Sequence, residues 1–578
     1  MAAKWSPQFE VEGMAISNGR YVAIPKMMVP LMQTDNSMLF TDIRTRWDNR
    51  DSQEVNIGLG YREVINDEWI LGGYAFFDYL DSQFDNQFMQ ATLGVEALSE
   101  AWDVRSNVYI PEADEKPTGG GQLVFTDTTI GLRGSLERAL PGFDGEVGYR
   151  LPIDGIDDLR IYGGGYYYYA DEYDMIAGPR GRVEWTVTEA DLAWLSDGKE
   201  ITFGAGFQYD DIRKEQSFAL LELRIPFGSS GKQSRNRSPL DKRMMRFIER
   251  DLDVVSSDEG KVEPVIVNGQ TRSEIVRVDA TDDIVQSVAN AAETALILVD
   301  GSLGNIEANN RIEMRQGQMM AGGGTPLVAT GARSGITFAT TAPGTRPTIV
   351  GSAIGSLITV RGNSVLTNIT TQANSGINAF GDNIVISDID VTMEQSTGIS
   401  VSGSNIIVKD STVTDTGTGT CCWAVWADDG DVTMSNLTIN NAVNDALRVD
   451  STRGSVHVSN VTINNPQREG VSVDSSFDTQ VNTFTDITIN NAGRHGVEVA
   501  QAELDHLAFN NVVVNGAANH AFSFLDGRID SLTGTGNQAN GTIGGSACNR
   551  SRTLVDGVPF GTSFINGSFS FTDNSTCP

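Results

Sequence analysis

Long runs that alternate between apolar and polar residues dominate the first 228 residues of the chain. The runs FMQATLGVEAL (88–98), ITFGAGFQYDD (201–211) and FALLELRIPFG (218–228) carry apolar residues at every second position. Successive side chains of a β-strand point to opposite faces, so each run predicts a strand with one apolar face. A loose count gives about a dozen such strands, an even number typical of bacterial outer-membrane barrels.

Two architectures fit this alternation. A soluble sandwich or barrel turns its apolar face inward, whereas a membrane barrel turns it towards lipid and lines a narrow lumen with polar or very small residues. Glycines inside the runs at Gly58, Gly60, Gly72 and Gly73 suit a crowded lumen. Aromatic residues near strand ends suit the belts found at membrane interfaces. They are Trp47, Trp69, Trp102, Trp185 and Tyr166 to Tyr169.

Length and charge limit the function classes. A chain of 578 residues is too long for one core, so two or more domains are expected. The formal net charge of −33 argues against nucleic acid as a partner, because phosphate binding needs a basic surface. No apolar run is long enough for a transmembrane helix. The start, MAAKWSPQFEVEG, has no apolar core, so we expect no signal peptide in this sequence.

A family resemblance rests on the first hairpin and the strands after it. The segments NIGLGYR, WILGGYAFFDY, LGVEAL and WDVRSNVYIP resemble the translocator barrel of the inverse autotransporters, the intimin and invasin family. The resemblance covers roughly residues 8 to 228 and implies an outer-membrane barrel at 1–228 that exports the chain behind it. From this sequence we expect two departures from familiar members of that family: it shows no peptidoglycan-binding module before the barrel, and the part after the barrel is not a string of immunoglobulin-like domains.

A linker at 229–265 contains the segment SPLDKRMMRFIERDLDVV, which predicts a helix over about 238–255. Ser238 is suited to the N-cap and Pro239 to the first helical position. In the resembled family a linker helix passes through the barrel lumen, so the resemblance implies a plug here. A surface helix packed on either domain is the alternative.

The rhythm of the sequence changes over 266–578. Four segments can be overlaid: SNLTINNAVNDALRVD, SNVTINNPQREGVSVD, TDITINNAGRHGVEVA and NNVVVNGAANHAFSFL. Their small residues Ala446, Gly470, Gly496 and Ala521 recur every 24 to 26 positions, and Gly376, Gly398 and Ala424 extend the series upstream. Short β runs at this period, with asparagine at the corners, predict a parallel β-helix. It resembles the right-handed pectate-lyase-like solenoids.

Stacking explains the residue types of these repeats. Val461, Ile463, Val471 and Val473 are expected in the core. The asparagines of the corner column are expected to adopt a left-handed backbone and to bond to each other. They are Asn440, Asn464, Asn490 and Asn515.

The two ends of the β-helix need protection. The segment DATDDIVQSVANAAETALILVDGS predicts a short helix, which would cap the N-terminal end, and then a strand. The tail after Gly541 would cap the other end, where Cys548 and Cys577 are candidates for a disulfide. The pairing of Cys421 and Cys422 stays open.

A charged strip is the main candidate site. The overlay places Asp445, Glu469, His495 and His520 in one column and Arg468 and Arg494 in the column before it. We therefore expect a strip about three coils tall made of Arg448, Arg468, Glu469, Arg494, His495 and Glu498. Such strips can hold the acid, base or cation-binding groups of a polysaccharide lyase or glycoside hydrolase. The alternative is a solvated surface on which opposite charges neutralise each other.

The segment CCWAVWADDGD is a second candidate. Trp423 and Trp426 with Asp428 and Asp429 could bind a sugar or a protein, although a core tryptophan and a solvated acidic loop explain the same residues. No metal site is predicted, since the four histidines lack zinc-ligand spacing. No cofactor is predicted either, and calcium stays open because aspartates at alternating positions can bind it.

The sequence thus predicts an all-β chain with an N-terminal antiparallel outer-membrane barrel of about 12 strands, a linker helix and a C-terminal right-handed parallel β-helix. We expect outer-membrane lipid as one partner and a carbohydrate or a cell-surface ligand of a host or neighbouring cell as another. The expected function is export and surface display of the β-helix for adhesion or another surface interaction. The alternative is a surface-displayed polysaccharide lyase or glycoside hydrolase.

Overall fold

The computed structural model describes residues 4–577, with the exception of a set of short segments. These are residues 157, 189–194, 196–197, 228–237, 252, 352–354, 419–421, 451–452, 475–480, 556–557 and 560–576. The chain divides into two compact units. The first comprises Met1–Val124, Leu132–Glu263 and Gly331–Ile336, and the second comprises Phe125–Gly131, Pro264–Thr330 and Thr337–Pro578.

Within the described residues, twelve antiparallel strands close into a barrel, which confirms the predicted fold of this part. The first strand pairs with the last, so no edge is left open. The strands are Gln8–Ile16, Tyr21–Gln33, Ser37–Asp48, Gln53–Ile65, Trp69–Asp81, Gln87–Ser99, Trp102–Pro111, Gly142–Arg150, Asp158–Tyr168, Ile176–Val187, Glu200–Asp210 and Lys214–Pro226. Six further short strands of this part of the chain are Glu115–Pro117, Gln122–Phe125, Ile130–Arg133, Leu136–Ala139, Ser256–Ser257 and Val262–Glu263.

The barrel is apolar outside and polar inside, as the alternation predicted. On the strand Gln87–Ser99, Met89 and Leu93 are 50% and 51% exposed, whereas Gln90 and Thr92 are 2% and 0% exposed. The outward side chains lie where lipid would lie, and the inward ones line the lumen. No helix in the described part of the chain is long and apolar enough to cross a membrane.

Buried charges in the lumen are paired. Lys26 Nζ lies 3.0 Å from Glu10 Oε1 and 2.5 Å from Glu12 Oε2. Arg224 Nη2 lies 2.7 Å from Glu10 Oε2. Pairing is required because an isolated buried ion costs several kcal/mol of desolvation.

The lumen also holds large aromatic rings, which differs from the expectation of small or polar residues alone. A Cβ atom on Gly58 would lie 2.5 Å from the Phe76 ring, so that glycine makes room for the ring of the neighbouring strand. The tyrosine run divides between the two faces. Tyr166 and Tyr168 are buried inside, and Tyr167 and Tyr169 are exposed outside.

The described part of the linker around residues 244–251 contacts lumen side chains, but its helix is much shorter than predicted. The helix spans Pro239–Arg243, with Ser238 as its N-cap, instead of about 238–255. Beyond it, Arg62 Nη1 donates to the carbonyl oxygens of Met244 and Arg246 at 2.8 and 2.6 Å. Lumen arginines thus satisfy backbone carbonyls that a longer helix would satisfy internally.

Side chains of the same linker segment pair with the barrel wall. Arg250 Nη2 lies 2.8 Å from Asp78 Oδ1, and Asp251 Oδ2 lies 2.7 Å from Arg180 Nη2. These pairs cross between the linker and strands of the barrel. The segment is therefore held inside the barrel by charge as well as by its backbone.

The second unit is a parallel solenoid of about 11 turns, as predicted. Its shorter parallel sheet contains Ile312–Glu313, Ile358–Arg361, Ile377–Phe380, Ile399–Ser402, Val425–Asp429, Leu447–Val449, Val471–Val473, Val497–Ala500, Phe522–Leu525 and Ala547–Asn549. Its longer sheet contains Ile275–Val278, Leu296–Val299, Ile306–Ala308, Met319–Gly322, Thr348–Gly351, Val365–Ala373, Ile384–Met393, Ile406–Asp415, Val432–Asn440, Val456–Asn464, Val481–Asn490, Glu503–Asn510, Val513–Asn515, Arg528–Thr533, Gln538–Asn540, Arg552–Val555 and Val558–Pro559. A small sheet contains Val265–Val267, Gln270–Arg272, Pro326–Gly331 and Thr337–Thr341.

The register of the coils agrees with the overlay of the repeats. Leu447 pairs with Val471, and Val471 pairs with Val497, so the small residues that precede them are equivalent. The predicted core positions Val461, Ile463, Val471 and Val473 are fully buried.

Asparagine ladders run along the solenoid. Asn464 Nδ2 donates to Asn440 Oδ1 at 2.9 Å, Asn490 Nδ2 donates to Asn464 Oδ1 at 2.9 Å, and Asn515 Nδ2 donates to Asn490 Oδ1 at 3.0 Å. The expectation of a left-handed backbone at these positions was wrong. Positive φ occurs one residue later, at Asn441, Asn465 and Asn491, because the chain turns after the laddered residue. Asn465 and Asn491 extend a second ladder of the same kind.

A helix lies at the N-terminal end of the solenoid, and a disulfide lies near its C-terminal end. The helix Ile284–Asn290 buries Ile284 and Val288 against the first coils, as the sequence predicted. Cys548 and Cys577 form a disulfide with Cα atoms 4.9 Å apart. Most of the tail predicted as a C-terminal cap lies outside the described residues.

We expect Asn490→Ala to lower the free energy of unfolding of the solenoid by about 1–2 kcal/mol, because it removes two amide hydrogen bonds of the ladder. Chemical denaturation followed by circular dichroism measures the change. Thr488→Ala is the control, since Thr488 is equally half-buried on the same strand and its side chain makes no hydrogen bond that the structure describes. Equal losses for the two variants would contradict a stabilising role of the ladder.

Candidate functional site

The candidate site occupies the turns that lead into three short strands of the solenoid, Leu447–Val449, Val471–Val473 and Val497–Ala500. Because the coils stack in register, residues at equivalent turn positions lie above one another. The predicted column is therefore present. The His495 and His520 rings stack with centroids 5.8 Å apart, which places two members of the column in contact.

The structure brings the six predicted strip residues into one connected cluster. Arg494 Nη1 lies 2.8 Å from Glu469 Oε1, and Arg468 Nε lies 3.3 Å from Glu469 Oε2. Arg494 also approaches Glu498 at 3.6 Å, and His495 Nε2 lies 3.9 Å from the same oxygen. Arg448 and Arg468 both reach Asp445, at 3.7 and 4.0 Å. We call this set, with Asp445, the carboxyl–arginine cluster.

The carboxyls of the cluster are buried, and the arginines are not. Glu469 has no exposed surface, and Asp445 and Glu498 are also buried. The side chains of Arg468 and Arg494 remain 46% and 40% exposed. The cluster therefore presents guanidinium groups to solvent and keeps its carboxyls beneath them.

Burial changes the protonation of the cluster. Burial, together with the neighbouring carboxyls of Asp445 and Glu498, raises the pKa of Glu469 to about 8 against the opposing effect of Arg494. Burial also raises the pKa of Glu498. Burial and the charge of Arg494 lower the pKa of His495 to about 4. At neutral pH the cluster therefore contains a protonated Glu469 and a neutral His495.

The tryptophans belong to the same surface. Trp423 and Trp426 are half-buried with ring centroids 4.8 Å apart, and the Arg448 guanidinium lies 4.8 Å from the centre of the Trp423 ring. Trp426 Nε1 donates to Asp450 at 3.1 Å, and Arg448 Nε donates to the same carboxylate at 2.7 Å. Arg448 thus connects the tryptophan pair to the carboxyl–arginine cluster.

Sequence reasoning missed Asp450 and Asp474, which anchor Arg448 at 2.7 and 3.0 Å. The signal was present in the overlay. Two of the aligned repeats end in the same residue type, as RVD and SVD, and these aspartates occupy equivalent positions next to the paired strands. Equivalent acids on adjacent coils, with one arginine between them, indicate a bridging ion pair.

The other candidate residues, Asp428 and Asp429, are not among the ion pairs of the carboxyl–arginine cluster. Asp429 Oδ2 lies 3.0 Å from Arg453 Nη2, and burial raises the pKa of Asp428. Cys421 lies outside the described residues. Among the described residues, the carboxylates close enough together to share a metal ion are Glu10, Glu12 and Glu222 of the barrel, where Lys26 supplies a positive charge.

We expect Glu469→Gln to change how solenoid stability depends on pH. The pKa of Glu469 is raised from 4.5 to about 8, so its contribution to stability is present below pH 4.5 and is lost as pH rises through 8. Glutamine cannot titrate. The melting temperature of the variant relative to wild type should therefore rise between pH 5 and pH 9, by about 2 °C or more.

Thermal unfolding of the full chain in detergent, followed by circular dichroism, measures this difference. Glu503→Gln removes an exposed carboxyl from a solenoid strand and serves as the control. A difference between Glu469→Gln and wild type that stays constant with pH would show that Glu469 has the same protonation in the folded and unfolded states.

Comparison with known proteins adds the family of the barrel. Residues 12–250 match the family model of the inverse autotransporter β-domain. A search of curated proteins found no match.

Among solved structures, a chain from a study of the in-meso crystallization of membrane proteins is 16% identical, with a TM-score of 0.33, over 43% of this chain and 98% of its own. The catalytic domain of Agl-KA is 12% identical, with a TM-score of 0.30, over 72% and 91%. The β-domain of the Bordetella autotransporter BrkA is 11% identical, with a TM-score of 0.20, over 38% and 99%. These low scores do not establish a relationship to any of the three.

The matched range includes the twelve strands that close the barrel, apart from the first four residues of the first strand, and the linker sequence as far as residue 250. The apolar outer surface and the paired charges of the lumen fit that family. Residues 12–250 of this chain therefore match the inverse autotransporter β-domain and form a closed β-barrel of the outer-membrane type, and the chain continues into a parallel β-solenoid.

Proposed function

We propose that the barrel exports the solenoid and displays it at the cell surface, where it acts in adhesion. The observation that carries this proposal is the path of the linker. Residues 243–251, which lie between the last barrel strand and the solenoid in the sequence, contact lumen side chains, and Arg44 Nη2 donates to the Ile248 carbonyl oxygen at 2.5 Å. A chain that occupies the lumen in this way has the path that export through the barrel would leave behind.

Folding of the solenoid supplies a driving force for export without ATP. Each coil buries its own aliphatic residues against the coil before it, as Val461 and Ile463 do. Burying such a side chain contributes about 1.5–3 kcal/mol before the entropy of ordering is subtracted. A coil that has folded outside the membrane therefore opposes backward movement of the chain.

The surface of the solenoid suits repeated contacts. Side chains recur from coil to coil at about 4.8 Å, so a ligand with a repeating structure meets the same group more than once. Asn436 and Asn460, for example, form an exposed ladder with a side-chain hydrogen bond of 2.8 Å. Many weak, equivalent contacts together can bind a repeating ligand more tightly than any single contact does.

Protease treatment of intact cells that express the full gene with an export signal tests display. We expect the solenoid to be lost while the barrel is spared. Shaved cells should also lose adherence to target surfaces. The same cells before treatment are the control for adherence, and a periplasmic marker protein is the control for membrane integrity. Survival of the solenoid on intact cells, with digestion after permeabilisation, would contradict display.

A further inference from the structure

We propose that Arg468 and Arg494, together with Trp423 and Trp426, form a binding site for a polyanionic glycan on the solenoid. The proposal rests on the proposed function in that it names the ligand class of the displayed module. The binding itself requires only the folded chain.

The two arginines are arranged for a repeating ligand. They occupy equivalent positions on adjacent coils, where Arg494 N donates to the Arg468 carbonyl oxygen at 3.1 Å. Both side chains are close to half exposed. Guanidinium groups bind carboxylate or sulfate through two parallel hydrogen bonds, and here they repeat at the coil spacing of about 4.8 Å. Such a pair fits consecutive anionic groups of a polymer better than one small ion.

The simplest competing explanation is that the carboxyls of the cluster neutralise the arginines, so that no ligand is needed. The geometry of the contacts limits this explanation. Arg494 approaches Glu469 and Glu498, yet the Glu469 oxygens and Glu498 Oε1 accept no hydrogen bond of good geometry from the described residues. Buried carboxyl oxygens are normally satisfied in native proteins. Arg468 Nη1 also donates to Asn444 Oδ1 at 2.9 Å, yet the side chains of Arg468 and Arg494 stay 46% and 40% exposed, so their guanidinium groups remain accessible to a ligand.

The protonation of the cluster leaves the arginines with still less countercharge. Because the pKa of Glu469 is raised to about 8, its carboxyl carries a proton at neutral pH and supplies less countercharge to the arginines. Asp445 and Glu498 are the other carboxyls that face them, and the neutral His495 adds no charge.

The distribution of cations also points to this place. The chain carries a formal charge of −33, and residues 406–525 contain five lysines and arginines. Three of the five, Arg448, Arg468 and Arg494, belong to the carboxyl–arginine cluster. Within this stretch, most of the few cations therefore lie in one cluster.

The tryptophan pair lies on the same line of coils. Trp426 pairs with Arg448, Arg448 with Ser472, and Ser472 with Glu498 in successive strands. From Trp426 to Glu498 is three coil spacings, about 14 Å. A chain of sugars laid along the solenoid axis would place its rings against the large apolar faces of the tryptophans and its anionic groups against the arginines.

Binding to the purified full chain in detergent micelles tests the proposal independently of display. The probes are polygalacturonate for carboxylate groups, heparin for sulfate groups and dextran as a neutral glycan. We expect at least one polyanion to bind with an affinity that falls as salt is raised, and dextran not to bind. The polyanion that binds identifies the anionic group.

Arg468→Ala with Arg494→Ala should weaken binding by about tenfold or more. The matched control is Arg361→Ala with Arg550→Ala, which removes the same charge from two solenoid arginines of similar exposure and should change binding less than about twofold. A second variant, Arg468→Lys with Arg494→Lys, keeps the charge and the ion pairs with the carboxyls. It should still weaken binding about threefold, because lysine cannot bind an anion bidentately.

The proposal is overturned if neither polyanion binds, if dextran binds as well as they do, or if the two alanine variants weaken binding equally. Unchanged binding by the lysine variant would also overturn it. Display is measured separately by protease treatment of cells, so failure of glycan binding leaves that result intact, and failure of display leaves the binding result intact.

Discussion

Burial of polar and charged side chains inside the barrel is the constraint on which the rest of the structure depends. In hydrocarbon, every backbone polar group must be satisfied within the protein, and a closed barrel satisfies this for the strands. The lumen must then satisfy its own charges, as Lys26 does with Glu10 and Glu12. Because the lumen is rich in paired charge, it can also hold the polar backbone of the linker, through Arg62 and Arg44.

In the solenoid the arrangement is reversed, with apolar side chains inside and polar side chains outside. Its aliphatic residues point inward, its asparagines bond to each other along the axis, and each coil is incomplete without its neighbour. A unit of this kind can fold coil by coil from one end. That property agrees with the export proposed above, and it also creates columns in which chemically similar residues recur at a fixed spacing.

Much of the fold could be predicted because its signals are local and periodic. Alternation in the first 228 residues predicted which barrel side chains face outward, and the overlay of repeats predicted the register that pairs Leu447 with Val471. The early end of the helix at Arg243 could not be predicted, since it depends on arginines far away in the sequence. The left-handed residue was misplaced by one position, because the overlay aligns turns without giving their backbone angles.

The sequence predicted which residues of the candidate site lie together, but it did not predict how deeply each side chain is buried. The overlay brought Glu469 and Arg494 together on adjacent coils, and the structure agrees. The carboxyls are buried beneath exposed arginines because the side chains project to different distances from their turns. The alignment of the repeats gives no information about these distances. That depth favours anion binding over acid catalysis, since a catalytic acid must reach its substrate and Glu469 has no exposed surface.

The central claim is that the apolar side chains of the barrel face lipid, and spin labels placed along the strand Gln87–Ser99 test it most directly. Nitroxides at positions 89, 93 and 95 of the protein in lipid vesicles should collide readily with dissolved oxygen and poorly with a water-soluble nickel chelate. At positions 90, 92 and 96 the oxygen collisions should fall, which gives an alternation with a period of two residues. Uniform access of the nickel chelate to the first set, or the absence of alternation, would contradict the account.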